Sequence, residues 1–150
     1  MIATSVTYDF VFLIHIIAAL DTLIVFIVMR GSAQGIADGA DETFQRKRFP
    51  DRRNWAARVV HVLPVTGLIL SLSGDKSGAL SKPWIAVGIV CYLAMAGHLE
   101  ARTLPKERAL ATMIALDGVA PPEEGRAMVK SIDVLLALIG VALIAMLVQF

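Results

Sequence analysis

The sequence predicts an all-α integral membrane protein, a single domain of four antiparallel transmembrane helices. Four apolar segments lie at about 7–29, 55–73, 83–104 and 129–149, close to the roughly 20 residues that cross a bilayer core as helix. The composition is 57% hydrophobic and the mean hydropathy is +0.70, above the values of a soluble domain. With 150 residues and short connections, the segments form one domain.

The basic residues predict the orientation. No basic residue precedes the first segment, which we therefore predict to be a true span rather than a cleaved signal. Of the 14 Lys and Arg residues, only Lys76 and Lys82 lie in the second connection, and the other twelve lie in or beside the first and third connections. The positive-inside rule then predicts that these two connections are cytoplasmic and that both termini lie outside. The net charge of +1 gives no argument for a nucleic-acid partner.

The connections carry their own signals. The turn-rich stretch 73–78 predicts that the second and third helices are antiparallel neighbours. Asp41 is expected to cap a short surface helix that ends near Pro50, and residues 106–116 are expected to form another surface helix. The prolines and acids of 121–124 predict that the fourth helix begins before the membrane. Pro105 is expected to end the third helix.

Ionisable residues within the apolar segments are candidates for function, because such groups are costly in lipid unless they have a partner. His15 lies ~12 Å from the outer end of the first segment, hence in the outer half. Five others, from all four segments, are predicted to lie at similar depths in the cytoplasmic half of the membrane: Asp21, Arg58, His61, His98 and Asp133.

The first functional hypothesis is a b-type haem in the bundle, serving electron transfer or porphyrin chemistry. Such a haem needs imidazoles on facing helices, small neighbours for the ring and cations for the propionates. His61 and His98 have similar depth and are the predicted metal ligands, with His15 as a further candidate ligand. Arg58 and Arg102 are the predicted propionate partners.

Two other hypotheses remain open, and the sequence does not decide whether the protein is an enzyme. The histidines are structural ties if the protein is a non-catalytic accessory subunit of a membrane complex or a self-associating scaffold. In that case Asp21 is expected to pair with His61 or Arg58. Alternatively, Asp21, His61 and Asp133 form a proton relay in an oligomeric carrier. The predicted partners are the lipid bilayer and either another membrane subunit or a second copy.

Three short stretches are similar to motifs of a widespread family of four-helix integral membrane proteins of unknown function. Residues 13–19 (LIHIIAA) resemble the family's histidine and small-residue motif in the first helix. Residues 64–68 (PVTGL) resemble its Pro and Thr-Gly element, and 118–123 (GVAPPE) its element before the last helix. The similarity covers essentially the whole chain and implies the same four-helix fold.

The chain also resembles the HemJ-type protoporphyrinogen oxidases, bacterial inner-membrane proteins associated with haem b. The order of the resembling residues is His15, Arg52 and Arg53, Pro64, Gly67, Trp84 and His98. Gly88 stands where that group has a functional lysine, and residues 130–133 (KSID) replace its Asn-Glu-x-Pro element. The resemblance thus implies the fold, a haem and an inner-membrane location, but not the oxidase reaction. The CopD-like copper-resistance proteins share the architecture, but the chain has no copper ligand set.

Overall fold

The computed structural model describes residues 2–73 and 82–148, with side chains over 6–72 and 82–148. All elements in these ranges are helical, as the sequence predicts. They are α1 (Ile2–Ala37), α2 (Glu42–Arg48), a 3₁₀ helix (Ala56–His61) that runs into α3 (Val62–Ser73), α4 (Pro83–His98), a π-helical segment (Leu99–Thr103), α5 (Leu104–Asp117) and α6 (Pro122–Val148). The turn predicted at 73–78 falls almost wholly outside the described residues.

Three stretches of this structure are long and apolar enough to cross a membrane. They are Val6–Ala37, Pro83–Asp117 (α4, the π segment and α5 in one run) and Pro122–Val148. The second predicted segment is a shorter apolar helix, Ala56–Leu72, whose first turns are 3₁₀. Large apolar side chains cover the outer faces of these helices, which is the arrangement that contact with lipid requires.

Much of the hydrophobic core lies between α1 and the helices that pack against it, above all α6. Buried residues recur along α1 at intervals of three and four, which puts them on one face of the helix: His15, Ala18, Ala19, Thr22, Phe26, Met29, Ala33 and Ile36. The facing stripe of α6 has the same spacing: Met128, Ile132, Leu135 and Ile139. Helix α1 packs against both α3 and α6, and α4 also packs against α6, whereas α3 and α4 touch only slightly.

The closest helix crossing is between α1 and α6. A Cβ atom on Gly125 would lie 2.9 Å from the carbonyl oxygen of Ala33 and equally close to the Ile36 carbonyl carbon. Only glycine lets two helix backbones approach in this way. The chain thereby brings the ends of α1 and α4 and the start of α6 to one end of the bundle, which we call the basic end.

Two short connections at the basic end are held by side chains. Asp41 Oδ1 accepts a hydrogen bond from the amide of Phe44 (2.8 Å) and caps α2, as predicted. The buried Gln45 donates to the carbonyl of Ala40 (2.8 Å) and accepts from the amide of Ala120 (2.8 Å). The amide of Gln45 therefore fixes the approach to α6, which begins at Pro122 as predicted.

Pro105 does not end the third helix, contrary to the prediction. Helix α4 continues through the π segment Leu99–Thr103 into α5, with Pro105 in the first turn of α5. A proline is tolerated in a first turn because its missing N–H would have no partner there. The π segment allows a new first turn inside a continuous helix, because its i→i+5 hydrogen bonds interrupt the regular i→i+4 pattern before Pro105.

Candidate functional site

The three histidines each contact a neighbouring helix, and His15 joins α1 to α3. Its ring is buried, and Nδ1 lies 2.7 Å from Thr66 Oγ1. Because the single proton of the Thr66 hydroxyl is donated to backbone carbonyls of α3, with that of Val62 at 2.9 Å, we assign His15 Nδ1–H as the donor. Gly67 lies against the same ring, since a Cβ there would be 3.4 Å from His15 Cε1.

His61 joins the 3₁₀ helix to α4 and the π segment. Its Nδ1 lies 3.2 Å from the Tyr92 hydroxyl, and the two rings meet edge to face. Its Nε2 lies 3.4 Å from Glu100 Oε1. Glu100 also accepts two hydrogen bonds from Arg58, at 2.9 Å and 3.0 Å, and the guanidinium lies over the ring of Trp55. Arg58 is therefore held by a carboxylate rather than free for another anion.

His98 joins α4 to α6. Its Nε2 lies 3.0 Å from both the carbonyl oxygen and the hydroxyl of Ser131. The same hydroxyl is 2.9 Å from the hydroxyl of Thr103, which is fully buried in the π segment. The three side chains form one polar contact at the point where the π segment meets α6.

The two aspartates of the predicted relay are apart. Asp133 accepts a 2.6 Å hydrogen bond from Arg30 and so joins α6 to α1. Asp21 is exposed, on a face of α1 that no other helix covers, and it has no ion pair or hydrogen bond with the described residues. It precedes Arg30 by nine residues, or ~13 Å along the helix. The structure thus gives Asp21 neither His61 nor Arg58 as a partner.

Two cavities lie at the basic end. One, of about 220 Å³, lies between the connection before the 3₁₀ helix and α5, where Asn54 donates a 2.8 Å hydrogen bond to Glu107. Both signs of charge line it: Arg52, Arg53, Arg58 and Arg108 with Asp51 and Glu107. The other is an open groove of about 290 Å³ between α6 and the α4–α5 run, and it contains His98 and the exposed Arg102.

The predicted haem ligands do not face one another. Glu100, on the His61 side of the helix, follows His98 by two residues, or roughly half a helical turn. In this structure His98 therefore contacts α6, whereas His61 contacts the other side of the same helical run. Among the described residues no three His, Cys, Asp or Glu side chains lie together in a way that could hold a metal ion. Haem b stays a hypothesis that rests on the sequence alone.

No protein-family model, curated protein or solved structure matches the chain. The histidine partners Thr66, Tyr92 and Ser131 were not identified as such from the sequence. Their signal was available, since each is a polar side chain inside an apolar segment and needs a partner there.

Proposed function

We propose that this protein is a non-catalytic integral membrane protein that acts by binding another membrane protein, as an accessory subunit of a complex. It crosses the bacterial cytoplasmic membrane four times, with both termini outside. The observation that carries the proposal is that all three histidines are used in hydrogen bonds between helices. Hydrogen bonds of this kind hold membrane bundles together.

The hydrogen bonding of buried polar side chains supports a structural role for the histidines. Within the described part of the chain, every buried side-chain nitrogen and oxygen has a hydrogen-bond partner. The ion pair of Arg30 with Asp133 links α1 to α6, and the pair of Arg58 with Glu100 links the 3₁₀ helix to the π segment. These contacts, with the histidines, connect each of the four helices to a neighbour and leave them fixed relative to one another.

Asp21 supports the idea of a protein partner. It lies among exposed apolar residues of α1, with Ile17 and Ile24 each 57% exposed one turn to either side. A carboxylate facing hydrocarbon is costly, and its side chain is too short to reach the membrane surface ~13 Å away. Two basic residues at the cytoplasmic ends of the first and second segments, Arg30 and Arg58, are already held by carboxylates. The partner is therefore a transmembrane helix that carries a basic side chain at the depth of Asp21.

A synthetic transmembrane helix tests this proposal. The probe is a labelled oligoleucine peptide of about 20 residues, with lysine or leucine at its centre, mixed with the labelled full-length protein in lipid vesicles. Fluorescence transfer is expected to show at least about tenfold tighter association of the lysine peptide, which corresponds to ~1.4 kcal/mol. The Asp21→Leu variant is expected to lose this preference.

The matched control is Asp9→Leu, which removes an exposed aspartate near the N-terminal end of the same helix. It is expected to leave binding of the lysine peptide unchanged. Equal binding of the two peptides, or equal binding by Asp21→Leu, would overturn the proposal. Transfer between two differently labelled copies that depends on Asp21 would also overturn it, because the occupant of this face would then be a second copy.

A further inference from the structure

The open groove at the basic end has a lining of one charge sign. Its walls come from two sides, with residues spaced by four along the α4–α5 run and further residues on α6. The lining consists of His98, Arg102 and Lys106 on one side and Ala127, Lys130 and Ser131 on the other. His98 and Ser131 are joined by a 3.0 Å hydrogen bond, and the other polar side chains of the lining are the three cations Arg102, Lys106 and Lys130.

These cations differ from Arg30 and Arg58, the basic residues that form ion pairs between helices. Arg30 and Arg58 are each held by a carboxylate, and an acid also lines the cavity beside Arg58. By contrast, no acidic residue lines the groove, and the ion pairs of the described residues do not include Arg102, Lys106 or Lys130. Three uncompensated cations around a cavity of about 290 Å³ attract a compact anion with several acceptor oxygens, such as phosphate.

The surface next to the groove indicates where such a phosphate comes from. On α4, Ala94 and Val90 lie one and two turns from His98 toward the membrane centre, and both are exposed. On α6, Val134 lies one turn beyond Lys130 and is 43% exposed. The cationic groove therefore continues into an apolar surface between the same two helices. A molecule with a phosphate at one end and hydrocarbon at the other matches this pair of surfaces.

We propose that the groove binds the phosphate headgroup of an acidic phospholipid whose acyl chains lie along α4 and α6. Basic pockets between transmembrane helices at the membrane surface bind such headgroups by this combination of charge and apolar contact. The site is independent of the Asp21 face, because its residues lie at the basic end and on other helices.

The test measures lipid binding by the full-length protein in detergent. Phosphatidylglycerol and phosphatidylcholine are titrated separately, and binding is followed by native mass spectrometry and by the rise in melting temperature. We expect a clear preference for phosphatidylglycerol. The double variant Arg102→Gln, Lys130→Gln is expected to bind it about 25-fold more weakly, at roughly fivefold for each basic residue at a membrane surface.

The matched control is the double variant Lys47→Gln, Arg48→Gln, which removes the same charge from exposed positions on α2 outside the groove. It is expected to bind like the natural protein, and a charge-retaining Arg102→Lys variant is expected to keep most of the affinity even if the glutamine variant folds poorly. Equal binding of the two lipids, or an equal loss in the control, would overturn the proposal. Displacement of phosphatidylglycerol by millimolar inorganic phosphate would also overturn it, by assigning the groove to a free phosphate compound.

Discussion

The close crossing of α1 and α6 gives the sharpest test of the packing. We expect Gly125→Ala to destabilise the bundle, because the added methyl carbon would lie 2.9 Å from the Ala33 carbonyl oxygen and the Ile36 carbonyl carbon. The backbone amide of Ala37 is closer still. All three neighbours are backbone atoms, so the helices must move apart rather than a side chain rotate. Overpacking of this kind typically costs about 1–3 kcal/mol.

Gly140→Ala on the same helix is the matched control. A Cβ at this position meets nothing within 4 Å, so the substitution is expected to be neutral or to stabilise the helix by about 0.5–1 kcal/mol. The measurement is the free energy of unfolding in mixed micelles of dodecyl maltoside and dodecyl sulfate. If Gly125→Ala were as stable as Gly140→Ala, the close approach of the two backbones would be refuted.

Three further predictions concern the polar contacts. A double-mutant cycle of His98→Ala and Ser131→Ala is expected to give a coupling free energy of about 0.6–1.7 kcal/mol for the contact with the Ser131 hydroxyl, and a value near zero would assign the hydrogen bond of His98 to the Ser131 carbonyl alone. Thr66→Val is expected to lower the free energy of unfolding by about 1 kcal/mol, with hydrogen exchange increased in α3, because the histidine on α1 loses its acceptor. A cycle of Arg58→Met and Glu100→Gln is expected to give less than about 1 kcal/mol, decreasing as salt is added, since the pair is partly exposed; a larger, salt-independent value would contradict this exposure.

Much of the fold could be predicted from the sequence because the pattern of apolar segments is long-range and strong. Helix content, the cap at Asp41 and the start of α6 at Pro122 followed from local signals. The continuation of α1 to Ala37, beyond the predicted segment end at 29, did not follow from local signals, and this part of the helix packs against Gly125 on a distant helix. The prediction that Pro105 ends the third helix was wrong because helix propensities give no sign of the π segment that precedes it.

The candidate site was less predictable than the fold. Depths along the helices follow from residue counts, and they placed His61 and His98 at similar levels. Rotation about each helix axis is set by tertiary packing, which the sequence pattern did not resolve for these two residues. Here the packing turns His98 to Ser131 and Glu100 to His61, on opposite sides of the helix. His61 and His98 were therefore predicted at similar depths, but they contact different neighbours in the structure.

An absorption spectrum of the full-length protein, purified from cells supplied with haem precursor, tests whether His15, His61 and His98 are used in contacts between helices. We predict no Soret band and no change between oxidised and reduced forms, with a pyridine haemochrome assay showing far less than one haem per chain. Near-stoichiometric haem b with a sharp reduced α-band would rule out this use of the histidines, because six-coordinate ligation would require two histidines to leave these contacts.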